Sequence, residues 1–247
     1  MTGRETMAEA TELRRETTVE PLFGSLLKFA TSSVGSKVVM AITGIGLWIF
    51  IMGHLAGNLT AYLGRDAFNN YAATLHHTPL LLWTVRLGMI IGFPLHIFTA
   101  MRTVALNRAA RPVEYAYQNK APARMAAKSM MLSGLVVLVF FGYHIAHFTW
   151  RVTGPQPTAT LPTGDWDAYS MLIMGFQQPL IAGFYLLAQV LLAAHLSHGL
   201  YSMFQHLGLW GARWTPWLKN ASLVVGYGLC LGFASIPLAV LAGILKP

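Results

Sequence analysis

Four histidines of this chain, His54, His96, His144 and His195, lie in four different long apolar segments. An ionisable side chain inside a membrane usually faces the interior of a helix bundle and has a partner there. Because imidazole is a common axial ligand of haem iron, four such histidines could form two bis-histidine sites. Whether they can pair depends on their relative depths in the membrane.

The elements that must position these histidines are membrane-spanning helices. The chain has 247 residues, of which 55% are hydrophobic and only 11% charged, and its mean hydropathy is +0.51. This composition is typical of an integral membrane protein. Five stretches are long enough to cross a hydrocarbon core of about 30 Å: about 36–61, 80–105, 127–151, 177–204 and 221–245. The sequence therefore predicts an all-α bundle of five transmembrane helices.

The basic residues indicate the orientation of this bundle. If the N-terminus is cytoplasmic, 13 of the 17 Lys and Arg residues fall on the inner side and four on the outer side. An excess of Lys and Arg in cytoplasmic segments is the usual pattern of membrane proteins. We therefore expect a cytoplasmic N-terminus and an outside C-terminus. The net charge of +8 follows from this topology, so nucleic-acid binding is not expected.

The chain divides into a polar cytoplasmic tail, residues 1–30, and one membrane domain, residues 31–247. The stretch TAYLGRDAFNNYAATLHHTPL is predicted as a polar outer loop, and roughly 166–176 as a short helix at the membrane interface. The single cysteine, Cys230, excludes disulfides, cysteine-ligated iron–sulfur clusters and covalent c-type haem within the chain. Any haem would be bound non-covalently.

The depths of the four histidines sort them into two layers. At about 1.5 Å per residue, His54 and His144 both lie ~24 to 25 Å from the inner edge, whereas His96 lies ~9 Å and His195 ~15 Å from it. The layers are ~12 Å apart on the same estimate. This sorting predicts two haems b, held by His54 with His144 outside and by His96 with His195 inside. The competing interpretation is four unrelated core histidines that bind neighbouring side chains.

Two further histidines compete for these roles. His147 and His198 lie three residues after His144 and His195, on nearly the same helix faces. Each could be the true ligand, a partner of a haem propionate, or a hydrogen-bond donor to the ligand. Propionates need cationic or hydroxyl partners near the membrane surface. The inner candidates, which could equally be topology anchors, include Ser36, Lys37 and Arg124.

The chain resembles the di-haem cytochrome b membrane anchor of succinate:quinone oxidoreductases and quinol:fumarate reductases, in its single-subunit, five-helix form. The resemblance spans roughly residues 30–245. It is carried by SVGSKVVMAITGIGLWIFIMGHLAGNL, FNNYAATL, LHIFTAMR, YHIAHF and AHLSHGLYSMFQHLGL. The family's ligand positions fall on His54, His96, His144 and His195. The resemblance thus favours His144 and His195 over their neighbours His147 and His198.

This resemblance also implies partners and a direction. A flavoprotein that carries the dicarboxylate site and an iron–sulfur subunit would dock on the cytoplasmic face of a bacterial cytoplasmic membrane. Electrons from succinate would pass through the two haems to a quinone, with menaquinone expected. Some fumarate reductases carry a glutamate at the position of Ala193, so its absence favours succinate oxidation. The alternatives are the same subunit in a quinol:fumarate reductase, or a di-haem b subunit of another respiratory complex.

The quinone site is expected beside the outer haem. By resemblance and by that position, its candidates are polar groups of the first outer connection. Each of them could instead cap the loop or face lipid. They are Asn58, Tyr62, Arg65, Asn69 and Tyr71.

Overall fold

The computed structural model describes residues 22–110, 122–158 and 160–247, with side chains described outside 122–129. The first 21 residues of the predicted tail, and the side chain of Arg124, lie outside this part of the chain. The described residues are helical and contain no sheet. Their only bridge of the β type joins Thr160 to Trp166.

Eight α-helices are present in the described residues, and five of them are long and apolar enough to cross a membrane. These five, α2, α4, α5, α7 and α8, confirm the predicted number of spans and the multi-pass membrane character. The bounds of all eight are α1 Leu22–Thr31, α2 Ser33–Leu59, α3 Arg65–His76, α4 Pro79–Ala109, α5 Pro122–His144, α6 Ala168–Phe176, α7 Pro179–His206 and α8 Thr215–Leu241.

The short helices add detail that the sequence did not fully reveal. Helix α6 lies where a short helix was predicted, whereas α3 occupies a connection that was predicted as a loop. Helix α1 lies mostly within the segment assigned to the polar tail, yet Leu22, Phe23 and Leu26 are exposed apolar residues on it. It is a short apolar helix that directly precedes α2.

The junction of α1 and α2 requires a small residue. Ser32 caps α2, and its hydroxyl accepts a hydrogen bond from the backbone N–H of Gly35 at 3.0 Å. A Cβ atom on Gly35 would collide with the carbonyl oxygen of Phe29. The guanidinium of Arg102 on α4 donates to the carbonyl of Thr31, the last residue of α1. The end of α1 is thus fixed to both α2 and α4.

The long helices form two pairs that enclose an interior space. Helix α2 packs along α4, and α5 packs along α7, while α8 covers the back of α7. Within the described residues, α4 and α5 make few close backbone contacts. Side chains bridge the gap between them, with the rings of Phe93 and Phe141 4.4 Å apart at their centroids. The separation of α4 from α5 leaves room for a large cavity.

The connections at one end of the bundle, named outer after the predicted topology, are held together by one buried carboxylate. Asp167 accepts hydrogen bonds from the side chains of Arg65 and Asn69, the latter at 3.0 Å. The side-chain oxygen of Asn69 accepts from the backbone N–H of Tyr169 at 2.9 Å. These bonds fasten α3 to α6, and the ring of Phe68 packs edge-on against Tyr169. We call the bonds that join Arg65, Asn69 and Asp167 the outer latch. The larger cluster of buried apolar residues in the described part of the chain includes Phe68 and Tyr169, next to this latch.

Candidate functional site

The four predicted histidines line one interior cavity. Its volume is 1150 Å³, and its wall includes His54, His96, His144 and His195 together with many apolar and aromatic side chains. A site for one small ligand usually has a volume of about 300–1,000 Å³. The cavity is therefore large for a single small molecule, and it brings together side chains from α2, α4, α5 and α7.

The inner histidine of α4 is fixed by the backbone and a hydroxyl of α2. The Nδ1 atom of His96 lies 3.1 Å from the carbonyl oxygen of Met40 and 3.2 Å from Oγ1 of Thr43. The Thr43 hydroxyl also lies 2.8 Å from the carbonyl of Val39, to which it donates. Because a carbonyl can only accept, Nδ1 of His96 carries the proton. Its Nε2 atom therefore keeps the lone pair that a metal requires.

The inner histidine of α7 is held in the same way by α5. The Nδ1 atom of His195 lies 3.2 Å from Oγ of Ser133, whose hydroxyl donates to the carbonyl of Met130 at 3.1 Å. Since a serine has one proton to donate, Nδ1 of His195 is the donor to Ser133. Its Nε2 atom is again left with a lone pair. A hydrogen bond of this kind behind a ligand orients the ring and raises its basicity.

A glycine accompanies each of these hydroxyls and leaves room for the ring. A Cβ atom on Gly44 would lie 3.4 Å from Cε1 of His96, and one on Gly134 would lie 3.4 Å from Cε1 of His195. A larger side chain at either position would press on the imidazole. The two inner histidines thus have the same surroundings, provided by different pairs of helices.

The same order of a hydroxyl residue, a glycine and a later histidine occurs in α2 and in α5. Helix α2 carries Thr43, Gly44 and, ten residues after the glycine, His54; helix α5 carries Ser133, Gly134 and His144 at the same spacing. In both helices the glycine contacts an inner histidine and the later histidine belongs to the outer layer. Ten residues of helix separate the layers by about 15 Å, against ~12 Å from the sequence estimate. Sequence reasoning missed these hydroxyls, although the repeated pattern was a signal for them.

The outer histidines are in contact with each other. The rings of His54 and His144 meet edge-on, with centroids 5.7 Å apart and planes at 87°. With metal–imidazole bonds of about 2 Å, two imidazoles on one iron have ring centres about 6 Å apart. The 5.7 Å between the two ring centroids is close to this value. Phe50 stacks on His54 at 5.4 Å, and Phe140 lies 5.7 Å from His144.

The outer histidines have weaker hydrogen bonds behind them than the inner ones. Nδ1 of His54 lies 3.4 Å from the side-chain nitrogen of Asn58, which donates to the His54 carbonyl at 2.7 Å. Because an amide nitrogen only donates, Nδ1 of His54 is the acceptor in this contact, unlike Nδ1 of His96 and His195. Nδ1 of His144 lies 3.4 Å from the hydroxyl of Tyr185. Tyr185 was not among the predicted site residues. A tyrosine inside an apolar helix was nevertheless a signal, because a buried phenol usually finds a hydrogen-bond partner.

The two competing histidines differ in position. His147 is fully buried, lies in a π-helical turn, Ile145–Thr149, that follows α5, and is not part of the cavity wall. His198, in contrast, lines the cavity one turn away from His195. The geometry thus places His144, not His147, opposite His54. In the inner layer both histidines of α7 face the cavity.

The predicted propionate partners lie near the inner ends of the helices. Ser36 is buried, donates to the carbonyl of Ala30 at 3.2 Å and does not line the cavity. Lys37, like Ser36, is not part of the cavity wall, whereas His206 at the end of α7 lines it.

The predicted quinone residues separate into two groups. Asn58 and Tyr71 line the cavity beside the outer histidines. Arg65 and Asn69 bind Asp167, and the hydroxyl of Tyr62 donates to Ser235 at 2.9 Å. The latter three have partners outside the cavity wall.

The electrostatics of the latch differ from those of the apolar cavity. Burial opposes ionisation of Asp167, but hydrogen bonds from Ser170, Asn69 and Arg65 outweigh it and lower the pKa of this carboxyl from 3.8 to about 2. In the exposed pair nearby, a hydrogen bond from His77 at 2.8 Å lowers the pKa of Asp165. Both carboxylates lie at the outer end of the bundle.

Fold and cavity together define a class, a multi-pass helical membrane protein with four histidines in the wall of one cavity, of which His54 and His144 are in contact. Comparison of the chain with protein-family models, with curated proteins and with solved structures gives no match. The assignment of a function therefore depends on the residues of the site and on the family resemblance of the sequence.

Proposed function

We propose that this chain is the membrane-anchor cytochrome b subunit of a succinate:quinone oxidoreductase. Its cavity would hold two haems b, and its role would be to conduct electrons from an iron–sulfur partner subunit to a quinone. The observation that supports the proposal is the placement of four histidines in the wall of one cavity, with the Nε2 lone pairs of His96 and His195 left free by their Nδ1 hydrogen bonds.

The residues have separate tasks in this proposal. His96 and His195 would ligate the inner haem, and His54 and His144 the outer one. A haem with both axial positions filled supplies one-electron transfer and offers no position to a substrate. Phe50 and Phe140 pack around the outer histidines and exclude water from them. The chain would therefore conduct electrons, and the dicarboxylate chemistry would take place on a partner.

The succinate-oxidising direction is supported by one buried position. Ala193 is 2% exposed and packs in a small apolar cluster with Leu192 and Cys230. Some fumarate reductases that the sequence resembles have a glutamate there. A methyl group in an apolar cluster cannot accept a proton, so this residue contributes nothing to proton transfer across the membrane.

The remaining features of the proposal come from the sequence. The basic inner segments suit a cytoplasmic N-terminus in a bacterial cytoplasmic membrane. By resemblance, the partners are a flavoprotein and an iron–sulfur subunit on that face. The acceptor is a quinone, expected to be menaquinone, beside Asn58 and Tyr71 at the outer end of the cavity.

The proposal can be tested on the complex from native membranes. A tagged chain is purified in a mild detergent, succinate is added, and the b-type absorption band is followed. We expect a flavoprotein and an iron–sulfur protein to copurify, and succinate to reduce the haems. A chain that carries haem but neither copurifies with a flavoprotein nor responds to succinate would belong to another respiratory complex. The matched control is the His77→Ala variant, altered outside the cavity, which should respond like the unaltered chain.

A further inference from the structure

One buried hydroxyl group lies between two histidines of the outer layer. The Oη atom of Tyr185 is 3.1 Å from Nδ1 of His147 and 3.4 Å from Nδ1 of His144. Tyr185 is 5% exposed and His147 is completely buried. Both side chains are therefore shielded from water, and each must satisfy its hydrogen bonds within the protein.

The single proton of Tyr185 restricts how these three groups can be connected. If Tyr185 donates to His147, its oxygen is free to accept from Nδ1–H of His144, and Nε2 of His144 keeps a lone pair toward the cavity. If Tyr185 donates to His144, the proton of that imidazole must be on Nε2. Only the first arrangement leaves His144 able to bind a metal through Nε2.

The far side of His147 is tightly enclosed. Its Nε2 atom has no hydrogen-bond partner among the described residues and packs against Gly154 and Gly175. A Cβ atom added to these glycines would lie 2.6 Å and 2.9 Å from that nitrogen, respectively. Neither position can therefore take a larger residue without movement of the imidazole. His147 is thus held with its Nδ1 atom toward Tyr185. If Nδ1 accepts the phenolic proton, the proton of the imidazole lies on the enclosed Nε2 atom.

We propose that Tyr185, supported by His147, is a positioning residue that keeps the proton of His144 on Nδ1 and directs its Nε2 atom into the cavity. This inference rests on the proposed function, because it assigns a ligand role to His144. It gives His147 the role of hydrogen-bond acceptor behind Tyr185, rather than that of a metal ligand.

The first test compares two tyrosines of the same cluster. Tyr185→Phe removes the hydroxyl behind His144. Tyr143→Phe is the matched control, because the Tyr143 ring packs 5.7 Å from His147 and 6.1 Å from Tyr185 without bridging the histidines. Loss of an acceptor behind a ligand makes the imidazole less basic. In Tyr185→Phe we expect a rise in the midpoint potential of the outer haem and a shift of its largest EPR g value. The inner haem and the Tyr143→Phe variant should be unchanged.

The second test reverses the hydrogen bond. In His147→Leu the phenolic proton has no acceptor except His144, so the outer haem should be lost from a large fraction of the molecules while the inner haem stays bound. Adding Tyr185→Phe to His147→Leu should restore part of the outer haem, because the competing donor is removed. His147→Gln, whose side-chain carbonyl can accept, should retain it. Retention of the inner haem shows in each case that the variant is folded.

These outcomes separate the inference from the function on which it rests. An unaltered chain without haem would overturn the proposed function. If the unaltered chain binds two haems and Tyr185→Phe is indistinguishable from Tyr143→Phe, only the inference about Tyr185 is wrong. If Tyr185→Phe loses both haems, the role of Tyr185 is tested by the His147 variants instead. A full content of outer haem in His147→Leu would then overturn the inference.

Discussion

The inner and outer pairs of histidines are built on different principles. Behind the inner pair, Nδ1 hydrogen bonds of 3.1 to 3.2 Å run to a carbonyl and a hydroxyl of the neighbouring helix. Behind the outer pair, the corresponding contacts are 3.4 Å long and involve the side chains of Asn58 and Tyr185. The outer rings also touch each other, and aromatic side chains surround them.

The inner imidazole rings are thus oriented by the packing of regular helices, whereas the outer rings are oriented mainly by neighbouring side chains. The inner rings are oriented by residues of regular helices, so their geometry depends on how α2 packs on α4 and α5 on α7. The outer rings depend on an aromatic cluster, on the π-helical turn after α5 and on the latch between α3 and α6. Substitutions near the inner pair should therefore affect haem binding at that pair alone. Haem binding at the outer pair should also be affected by substitutions in the connecting segments.

The largest expected effect comes from removing a ligand. His96→Ala should abolish binding of the inner haem and leave the outer one, and His54→Ala should do the opposite. Each variant should thus contain one haem per chain, measured as haem-to-protein ratio after extraction. Two haems in both variants would show that His96 and His54 are not ligands, and none in either would show that the layers do not bind haem independently.

The second prediction concerns the space that Gly44 leaves for the imidazole ring of His96. Gly44→Val should push against His96, since even a Cβ atom would lie 3.4 Å from its ring. Overpacking of this kind destabilises by about 1–3 kcal/mol, which would correspond to a roughly 5-fold to 150-fold loss of affinity for the inner haem. The matched control is Gly46→Val on the same helix, where a Cβ atom has no neighbour within 4 Å. Equal haem retention by the two variants during dilution in detergent would refute the assignment of Gly44.

A smaller effect is expected from the hydroxyl behind His195. Ser133→Ala should weaken binding of the inner haem by about 10-fold to 100-fold, as is typical for partners behind a metal ligand. Ser222→Ala, at a buried serine of α8, serves as the control. The measurement is the rate at which apomyoglobin removes each haem. Faster loss of the outer haem than of the inner one in Ser133→Ala would contradict the pairing of Ser133 with His195.

The smallest effect concerns the outer latch and its pH dependence. The pKa of Asp167 is lowered in the folded protein to about 2, so its ionised form stabilises the fold above the unfolded pKa of 3.8. This contribution is lost as the pH falls from about 4 toward 2. Thermal unfolding followed by the outer haem band should show a steeper decline across this window in the unaltered chain than in Asp167→Asn.

The control for the latch is the exposed pair nearby. Asp165→Asn removes a carboxylate that binds His77 at the surface, and exposed ion pairs contribute little to stability. Its unfolding profile should follow that of the unaltered chain. A decline in Asp167→Asn as steep as in the unaltered chain would show that another group controls the outer end.

The number of membrane-spanning helices was predictable because the length of a span follows from counting residues along the sequence. The predicted depth of each histidine was obtained in the same way. Apolar stretches of more than 20 residues predicted five spans, which the structure has. Counting from charged residues predicted the two layers, and His54 and His144 of the outer layer are in contact. The residues behind the histidines were not predictable in this way. Whether Ser133 or Tyr185 faces a ring depends on how each helix is rotated about its axis, which the depth of a residue does not reveal.

Helix α3 was missed for a different reason. Helix α3 has a polar sequence that is typical of a loop, and it is held in place by buried contacts of Phe68 and Asn69 with α6. The predicted quinone residues lie in the same connection. Arg65 and Asn69 were selected for their polarity, which the fold uses to bind Asp167. Tertiary contacts of this kind are absent from a local sequence pattern.

The most direct test of the account is the haem content of the purified chain. A reduced-minus-oxidised spectrum, combined with haem extraction and protein determination, measures both the type of haem and the number bound. The two histidine pairs predict b-type absorption and two haems per chain. A preparation that shows no b-type band, or that cannot be loaded with more than one haem, would contradict the central claim.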